Sequence, residues 1–367
     1  MTTRIHPGGD REKTADMRGG KVQKAIRCAV FLAGIIAAVI LLGKVLRVRN
    51  GEYLSPEASR LKADSADVLF LGPSTIMNGV YPLNLWHDFG ITAFNCGSGS
   101  QSLMASYYLL EDILARMKPK LVVLDCGKAR SARAIVKSGY LHYITDMLPI
   151  INSSRFTMID KSAKDRAYSF DTVAGLIFPC FAYHDRWQHI KRGDLAPDVK
   201  LITLGAKVDP RVWNVTDPYA AHEADPDYVL PEMAETYLRK IIETCREEGI
   251  DLLMVTMPNM TPAVDVDQEE YELRVDAAAA VQKIADEYGV IHENQITEGE
   301  NIGLIPGADV ADGQHLNYVG AGKYTAWIGN YIKEHYSVPD HRGESGYEEM
   351  DRKYKEFRKY LETMGSA

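Results

Sequence analysis

Two short polar segments, far apart in the sequence, carry residue types that could together act on an acyl group. Gly72-Pro73-Ser74 follows an apolar run with the composition of a buried strand, so we expect the Ser74 hydroxyl in a turn between a strand and a helix. Asp312 and His315 lie in a polar loop near the other end of the chain. An Asp three residues before a His can orient the imidazole through Nδ1–H, which leaves Nε2 to take a proton from a serine. Each segment alone is a weak signal, because a Gly-x-Ser after a strand is more often only a turn.

Together the two segments resemble the SGNH/GDSL superfamily of esterases and acyltransferases. The Gly-x-Ser after the first strand and the Asp-x-x-His-Leu-Asn-x-x-Gly before the last helix carry this resemblance. Within the superfamily, the chain is similar to a membrane-anchored branch that includes the D-alanine transfer protein of teichoic-acid modification and the alginate O-acetylation proteins. The stretches that carry the closer resemblance are ADVLFLGPS at 66–74, VYPLNLWHDFGITAFNCGSGSQS at 80–102, YYLLEDILARMKPKLVVLD at 107–125, YHDRW at 183–187, DGQHLNYVGAGKYT at 312–325 and YSVPDHR at 336–342. The resemblance implies an α/β fold, a flavodoxin-like three-layer sandwich with a central parallel sheet.

The resemblance also assigns roles to particular residues of this chain. Ser74 matches the nucleophile of the superfamily, His315 its general base, and Asp312 the residue that orients the base. Gly97, after the second predicted strand, matches the glycine whose backbone N–H forms the oxyanion hole together with the N–H of Ser74. Where the superfamily has a further donor, an Asn after the third strand, this chain has Asp125. An ionised carboxylate cannot donate a hydrogen bond, so we expect Asp125 to be structural or to face the substrate.

Six further polar residues are candidates for substrate binding because they follow predicted strands or lie in the predicted insertion. They are Asn95, Ser98, Gln101, His184, Arg186 and Asn259. His184 and Arg186 either line the acceptor cleft or belong to a structural hydrogen-bonded motif, and Gln101 either reaches the oxyanion loop or caps a helix. The histidines and the five cysteines show no metal-ligand spacing, so we expect neither a metal nor a cofactor.

After residue 65, short apolar runs alternate with helical stretches, which predicts a parallel sheet covered by helices on both faces. The predicted strands are Ala66–Gly72, Ile91–Gly97, Lys120–Gly127, Asp251–Met257 and Gly289–His292, and the predicted helices are Ser102–Met117, Pro231–Glu248 and Gln268–Tyr288. From about residue 128 to 226 the alternation stops, and this part, rich in aromatic residues, Pro and charge, is interpreted as an insertion or cap. We expect a catalytic domain over residues 65–340 and a charged C-terminal helix over 341–367.

An apolar stretch near the N-terminus predicts a membrane anchor. Residues 28–46 would form about 28 Å of helix at about 1.5 Å per residue, enough to cross a hydrocarbon core. More Lys and Arg precede the span than follow it, so we expect a cytoplasmic tail over 1–27 and, beyond a connector at 47–64, an extracytoplasmic body in a single-pass cell-membrane protein. A cleaved signal peptide and a buried core helix are the alternatives.

The balance of charge limits the partners. The chain has 42 Lys and Arg against 50 Asp and Glu, a formal net charge of −8. Residues 1–49 carry +7, so the remainder carries −15. An acidic body repels phosphate backbones, which disfavours binding to nucleic acid.

These observations predict a serine acyltransferase or esterase that acts on O-acyl groups. The resemblance implies acetyl as the group, a cell-surface or secreted glycan as the acceptor, an acyl donor, and a multipass membrane O-acyltransferase as a partner. A glycan O-acetyl esterase that only hydrolyses is the first alternative, and exclusion of water by the insertion would favour transfer. A non-catalytic scaffold that binds a glycan or a partner is the second. Pro73, Thr75 and the missing Asn motivate the scaffold, whereas the intact Ser74, Asp312 and His315 argue against it.

Overall fold

The computed structural model describes residues 9–46, 66–131, 138–149, 151–190, 203–262 and 267–365. At its centre is one sheet of five parallel strands in the order β2-β1-β3-β4-β5. The strands are β1 (Val68–Gly72), β2 (Ala93–Gly97), β3 (Leu121–Asp125), β4 (Asp251–Thr256) and β5 (Ile291–Asn294). All five predicted strands are present. Four are shorter than predicted by one to three residues, and β5 begins two residues later than predicted.

The burial of the strands explains why the sheet is parallel. Every residue of β1, β2 and β3 is buried, as is all of β4 after its first residue, whereas β5 at the edge has exposed positions. Continuous apolar runs of this kind need cover on both faces, which helices supply. The protein is therefore an α/β protein with a central parallel sheet, as predicted, and its strand order is the one found in flavodoxin-like folds.

Helices surround the sheet. Those of the body are α2 (Ser74–Gly79), α3 (Pro82–Phe89), α4 (Leu103–Leu114), α9 (Glu232–Glu248), α10 (Gln268–Tyr288), α11 (Tyr318–His335) and α12 (Glu348–Gly365). Helix α4 packs on α9, and α3 packs on α11 and α12. The bounds of α10 are those predicted, because Asp267 caps its first turn through the backbone N–H of Glu270 and Gly289 ends it in a left-handed conformation.

The stretch predicted as an insertion, between β3 and α9, contains four short helices in its described part. They are α5 (Ser138–Thr145), α6 (Ser153–Arg166), α7 (Phe170–Ile177) and α8 (Pro179–Ala182), followed by a 3₁₀ helix at His184–His189. The buried Arg155 holds these short elements together, because its guanidinium donates to the carbonyls of Thr145, Leu148 and Leu176. Two of those carbonyls lie in the last turns of α5 and α7, where helices leave acceptors unsatisfied.

The N-terminal helix α1 runs over Gly9–Leu46, so the chain is helical well before the predicted start at residue 28. Within it, Val22–Gly43 is long and apolar enough to cross a membrane, and Gly43 at its end is the one buried residue of that stretch. A buried core helix, one of the alternatives above, is therefore excluded. The predicted tail is helical from Gly9 onward, while residues 1–8 and the connector at 47–64 lie outside the described residues.

The charged C-terminal segment forms α12 and packs on the body. Phe357, buried to 1% exposure, meets the ring of Tyr81 edge to face at 5.4 Å between centroids. Trp86 in α3 donates from its indole N–H to Asp351 at 2.9 Å. The described helix starts seven residues after the predicted segment does, since Arg342–Tyr347 forms turns instead.

Candidate active site

The turn after β1 positions Ser74 at the carboxyl end of the sheet. Ser74 is the first residue of α2, and Pro73 precedes it as the N-cap. Gly72 has φ +148°, and an added Cβ there would lie 2.7 Å from the Cβ of Asp125 at the end of β3. Only glycine fits where the two strand ends approach so closely. Ser74 therefore sits beside the point where the strand order reverses, the usual place for a site in an open parallel sheet.

Ser74, His315 and Asp312 form a continuous hydrogen-bonded chain. The Ser74 Oγ lies 2.7 Å from His315 Nε2, although the two residues are 241 positions apart. His315 Nδ1 lies 2.9 Å from each carboxylate oxygen of Asp312. With the ring proton on Nδ1, facing the carboxylate, Nε2 presents its lone pair to the serine hydroxyl. This is the arrangement of a Ser-His-Asp triad.

Asp312 is held as an anion. Burial raises the pKa of its carboxyl, but the hydrogen bond and charge of His315 and the backbone N–H groups of His315 and Gln314 outweigh burial and bring the pKa to about 2. Arg211 adds a cation, with its Nη2 3.4 Å from Asp312 Oδ2. The Asp312 carboxylate is therefore ionised throughout the pH range in which an imidazole can act as a base.

Asp125, expected to be structural or substrate-facing, is structural. Its carboxylate accepts hydrogen bonds from the Thr75 hydroxyl and from the backbone N–H of Gly127 at 2.8 Å, and its side chain is buried. Burial raises the pKa of this carboxyl despite those bonds. Asp125 thus connects Thr75, the residue after Ser74, to the end of β3, which gives Thr75 a structural role.

Gly97 differs from its expected role in the oxyanion hole. Its backbone N–H donates to Asn95 Oδ1 at 3.0 Å. A Cβ on Gly97 would lie 2.4 Å from Ile76 Cγ2 and 2.8 Å from the backbone N of Met77, so glycine is needed for α2 to pack on β2. Asn95 is fully buried and also donates to the carbonyls of Ile76 and Val80. Asn95 therefore supports α2 and does not reach a substrate.

Ser98 and Gln101 are likewise buried within the loop after β2. Ser98 Oγ donates to Gln101 Oε1 at 2.8 Å, and Gln101 Nε2 donates to Ser106 Oγ at 3.0 Å. The cap of α4 is Ser102, so Gln101 neither caps that helix nor lines the cleft. Gly99 and Ser100, between them, do line the cleft, and Ser100 adopts φ +53°. The sequence feature that could have identified these two residues is the Gly-Ser-Gly-Ser composition of residues 97–100.

His184, Arg186 and Asn259 lie away from the serine. His184 is exposed and contacts Asp185 and the carbonyl of Phe181. Arg186 donates to the carbonyl of Leu46 at the end of α1. Asn259 is buried after β4, and its backbone N–H donates to the carbonyl of Ile296. None of the three lines the cleft over Ser74, and the contacts of His184 and Arg186 are those of the structural alternative.

The cleft over Ser74 is a cavity of about 480 Å³ whose walls are rich in cations. Five of its residues are Lys or Arg, against two carboxylates, Glu270 and Asp312. The five cations are Lys128, Arg130, Lys207, Arg211 and Arg274. None of the five was predicted from the sequence, and four come from the insertion, where the only sequence signal was a general richness in charge. In a chain with a net charge of −8, this local excess of positive charge distinguishes the cleft.

Arg274 is the most unusual of these cations. It projects from α10, is 5% exposed, and its Nε and Nη1 have no hydrogen-bond partner among the described residues. Burial, together with Arg130, lowers the pKa of Arg274 to about 10. Burial, together with Arg130 and Arg274, lowers the pKa of Lys128 to about 8. Buried cations without full partners are costly, which makes them suited to receive an anion.

The fold and the site together define an α/β protein with a Ser-His-Asp arrangement at the reversal point of a flavodoxin-like sheet. No family model matches the sequence, and no curated protein does. Among solved structures, the chain is similar to one described as a "putative acylhydrolase" from Bacteroides fragilis. The identity is 12%, the match covers 76% of this chain and 94% of that one, and the TM-score is 0.37. A likeness this distant does not assign a function.

Proposed function

We propose that the protein is a serine acyltransferase or esterase that acts on O-acyl groups, in the first place O-acetyl groups, of a cell-surface or secreted glycan. The observation that carries the proposal is the 2.7 Å contact between Ser74 Oγ and His315 Nε2, with Asp312 on the other ring nitrogen. A serine hydroxyl is a weak nucleophile, and an adjacent oriented imidazole is what activates it.

In the proposed mechanism, His315 Nε2 takes the Ser74 proton as Oγ attacks the acyl carbonyl carbon. The tetrahedral intermediate collapses, the donor's alcohol or thiol leaves with the proton from His315, and an acyl-serine remains. An acceptor hydroxyl, or water, then gives its proton to His315 and attacks the acyl-serine. Ser74 recovers its proton at the end, so the enzyme is unchanged.

The oxyanion needs donors other than Gly97, whose N–H already has an acceptor. We assign this role to the backbone N–H of Ser74, at the start of α2, and to the Gly99–Ser100 loop, which lines the cleft. Two backbone donors around one oxygen are the usual arrangement for stabilising the charge of a tetrahedral intermediate.

The cations of the cleft support a substrate that carries negative charge. Lys128, in the loop after β3, and Arg274, in α10, both line the cleft, and within the described part of the chain the Nε and Nη1 of Arg274 have no hydrogen-bond partner. A carboxylate or phosphate group on the glycan or on the acyl donor would accept hydrogen bonds from them. Because four of the five cations come from the insertion, we assign to the insertion the recognition of this charged group.

Helix α1 determines where we propose that the protein acts. With α1 across the cell membrane and its N-terminus in the cytoplasm, the body lies outside, where glycans of the envelope are modified. A multipass membrane O-acyltransferase would deliver the acyl group there. Against a non-catalytic scaffold stands the intact hydrogen-bonded chain from Ser74 to Asp312.

The test is hydrolysis of p-nitrophenyl acetate by the full chain in detergent, beside Ser74→Ala and His315→Ala. We expect both variants to lose the activity. Matched controls are Ser345→Ala and His335→Ala, which change an exposed serine and an exposed histidine outside the cleft and should retain it. Acetylated product on adding an oligosaccharide acceptor would identify transfer, and its absence would identify an esterase. Equal rates in wild type and Ser74→Ala, with all proteins folded, would contradict the proposal in favour of the scaffold.

A further inference from the structure

The exposed aromatic side chains of the body are concentrated in one segment. Outside α1, every exposed Phe and Trp of the described residues lies between 156 and 187. They are Phe156, Phe170, Phe178, Phe181 and Trp187, with exposed fractions from 39% to 85%. Ile151 and Ile190 at the two ends are exposed as well. The exposed large apolar residues elsewhere in the described body are single aliphatic side chains. A cluster of exposed rings in a folded protein normally marks a contact surface.

The same segment contacts the end of the anchor helix. Both α8 and the 3₁₀ helix at His184–His189 pack on α1. Leu46, the last residue of α1, is 6% exposed, and its carbonyl accepts a hydrogen bond from Arg186. Leu46 lies three residues beyond Gly43, where the apolar span ends. At about 1.5 Å per residue, the contact is roughly 4.5 Å from the end of the span.

We propose that residues 170–190, called the aromatic foot below, lie in the interface of the same membrane that α1 spans. A surface held within one helical turn of the end of a membrane span cannot avoid the lipid headgroup region. Trp and other aromatic rings prefer that region because their apolar bodies are buried there while polar groups stay hydrated. The charges of the foot suit the same position: Asp171, Asp185 and Arg186 lie beside the rings and can remain in the headgroup layer.

The aromatic foot would fix how the cleft over Ser74 is oriented relative to the membrane. A single helix lets the body tilt and rotate about its exit point, whereas a second contact with lipid fixes the orientation of the body. The insertion that carries the foot also supplies Lys128, Arg130, Lys207 and Arg211 to the wall of the cleft. The foot therefore fixes the height and direction of the cleft relative to the membrane. This inference rests on α1 spanning the membrane and is independent of the acyl chemistry.

The test uses the tryptophans of the full chain, reconstituted in phosphatidylcholine–phosphatidylglycerol vesicles with and without brominated lipid. None of the four Trp residues lies in α1, so the anchor itself contributes no signal. Trp86 is buried, and Trp213 and Trp327 are partly buried in the body. We expect brominated lipid to reduce the emission of the wild type and of Trp327→Phe, and to have no effect on Trp187→Phe, in which the apolar character of the foot is kept.

Each other outcome overturns the inference. Quenching that is equal in the wild type and Trp187→Phe, or absent from both, would place the foot outside the lipid, covered by a second copy or a partner protein. The inference and the proposed function fail separately. Ser74→Ala should show the same quenching as the wild type, and Trp187→Phe should hydrolyse p-nitrophenyl acetate at the wild-type rate. That retained activity also shows that Trp187→Phe is folded.

Discussion

Asp312 holds His315 through more than one hydrogen bond. The Asp312 carboxylate accepts from the ring and from the backbone N–H of the same histidine, so the imidazole and its loop are oriented together. The hydrogen-bonded carboxylate fixes the proton on Nδ1, which is the tautomer that a general base for Ser74 requires.

Replacing Asp312 with Asn tests this orientation. An amide can donate to Nδ1 and so favours the wrong tautomer, and we expect kcat/KM on p-nitrophenyl acetate to fall by about 10²–10⁴-fold with KM little changed. The measurement is steady-state kinetics of the full chain. Asp217→Asn, on an exposed carboxylate outside the cleft, is the control. A rate near that of the wild type would show that His315 does not depend on Asp312.

For Arg274 we predict that one substitution weakens binding of a charged substrate without lowering the stability of the protein. Arg274→Gln removes a buried charge whose Nε and Nη1 have no partner among the described residues, so we expect the free energy of unfolding to stay constant or to rise. The same change should raise KM for an acetyl ester that carries a carboxylate by roughly tenfold and leave KM for p-nitrophenyl acetate unchanged. Thermal unfolding and kinetics on both esters check this. A loss of stability with equal effects on both esters would make Arg274 a structural residue only.

The carboxyl ends of β2 and β3 contain the same type of hydrogen-bonded turn. Asn95-Cys96-Gly97 forms the end of β2, and Asp125-Cys126-Gly127 begins at the last residue of β3. In each, the Asn or Asp side chain accepts a hydrogen bond from the backbone N–H of the glycine two residues later. Such turns are a common use of Asn and Asp. The repetition explains why an Asp stands where an Asn donor was expected: at this position the residue acts as an acceptor within the turn.

The edge strand β5 contains a buried histidine, which should make the stability of the fold depend on pH. His292 is 7% exposed and contacts Thr256 at 2.9 Å and Gln282 at 3.1 Å, and burial lowers its pKa from 6.5 to about 4. The unfolded chain takes up this proton near pH 6.5 and the folded chain only near pH 4. Folding is therefore disfavoured as the pH falls between these values, by about 3 kcal/mol in total.

The measurement is urea unfolding of the wild type and of His292→Gln at pH 7 and at pH 4.5. Because Gln keeps a polar side chain and does not titrate in this range, the variant should lose less stability than the wild type between the two pH values. Asp312 loses its contribution only at lower pH, since its pKa is about 2. Equal losses in the two proteins would show that His292 titrates alike in the folded and unfolded chains.

At the scale of the whole molecule, charge and exposure are unevenly distributed. The chain after residue 49 carries −15, yet the cleft presents five cations, and the exposed rings lie near the anchor. A positive cleft in an acidic body draws an anionic group toward Ser74 and repels it elsewhere. The anchor and the aromatic foot would keep that cleft close to the membrane surface.

The orientation across the membrane can be read by cysteine labelling. Cys28 lies in the span and the other four cysteines are buried, so the wild type should react little with a membrane-impermeant maleimide. Ser345→Cys, on an exposed turn, should be labelled in intact spheroplasts. Thr3→Cys is the control for the opposite side and should react only after permeabilisation. The reverse pattern would place the body in the cytoplasm and remove the glycan from the proposed function.

The sequence by itself determined the parts of the protein that depend on neighbouring residues. Apolar runs without interruption predicted the five strands, because a strand covered on both faces needs no alternation. The helical stretch over residues 268–288 was predicted with the bounds that α10 has, and the unbroken apolar stretch predicted the part of α1 that is long and apolar enough to cross a membrane. Ser74, Asp312 and His315 were also recognisable, because the two short motifs that contain them together carry the resemblance to the superfamily.

Only the tertiary structure decided which distant groups meet. Ser74 and His315 are 241 positions apart, and their contact depends on how α11 and its preceding loop pack against α2. The same holds for Arg274, which reaches the cleft from α10, and for Arg186, which donates to the carbonyl of Leu46 at the end of α1. Gly97 and Asn95 had the expected residue types, but each N–H or amide already has a partner in the fold. A residue type limits the chemistry that a position can perform, whereas packing decides whether its polar atoms are free to perform it.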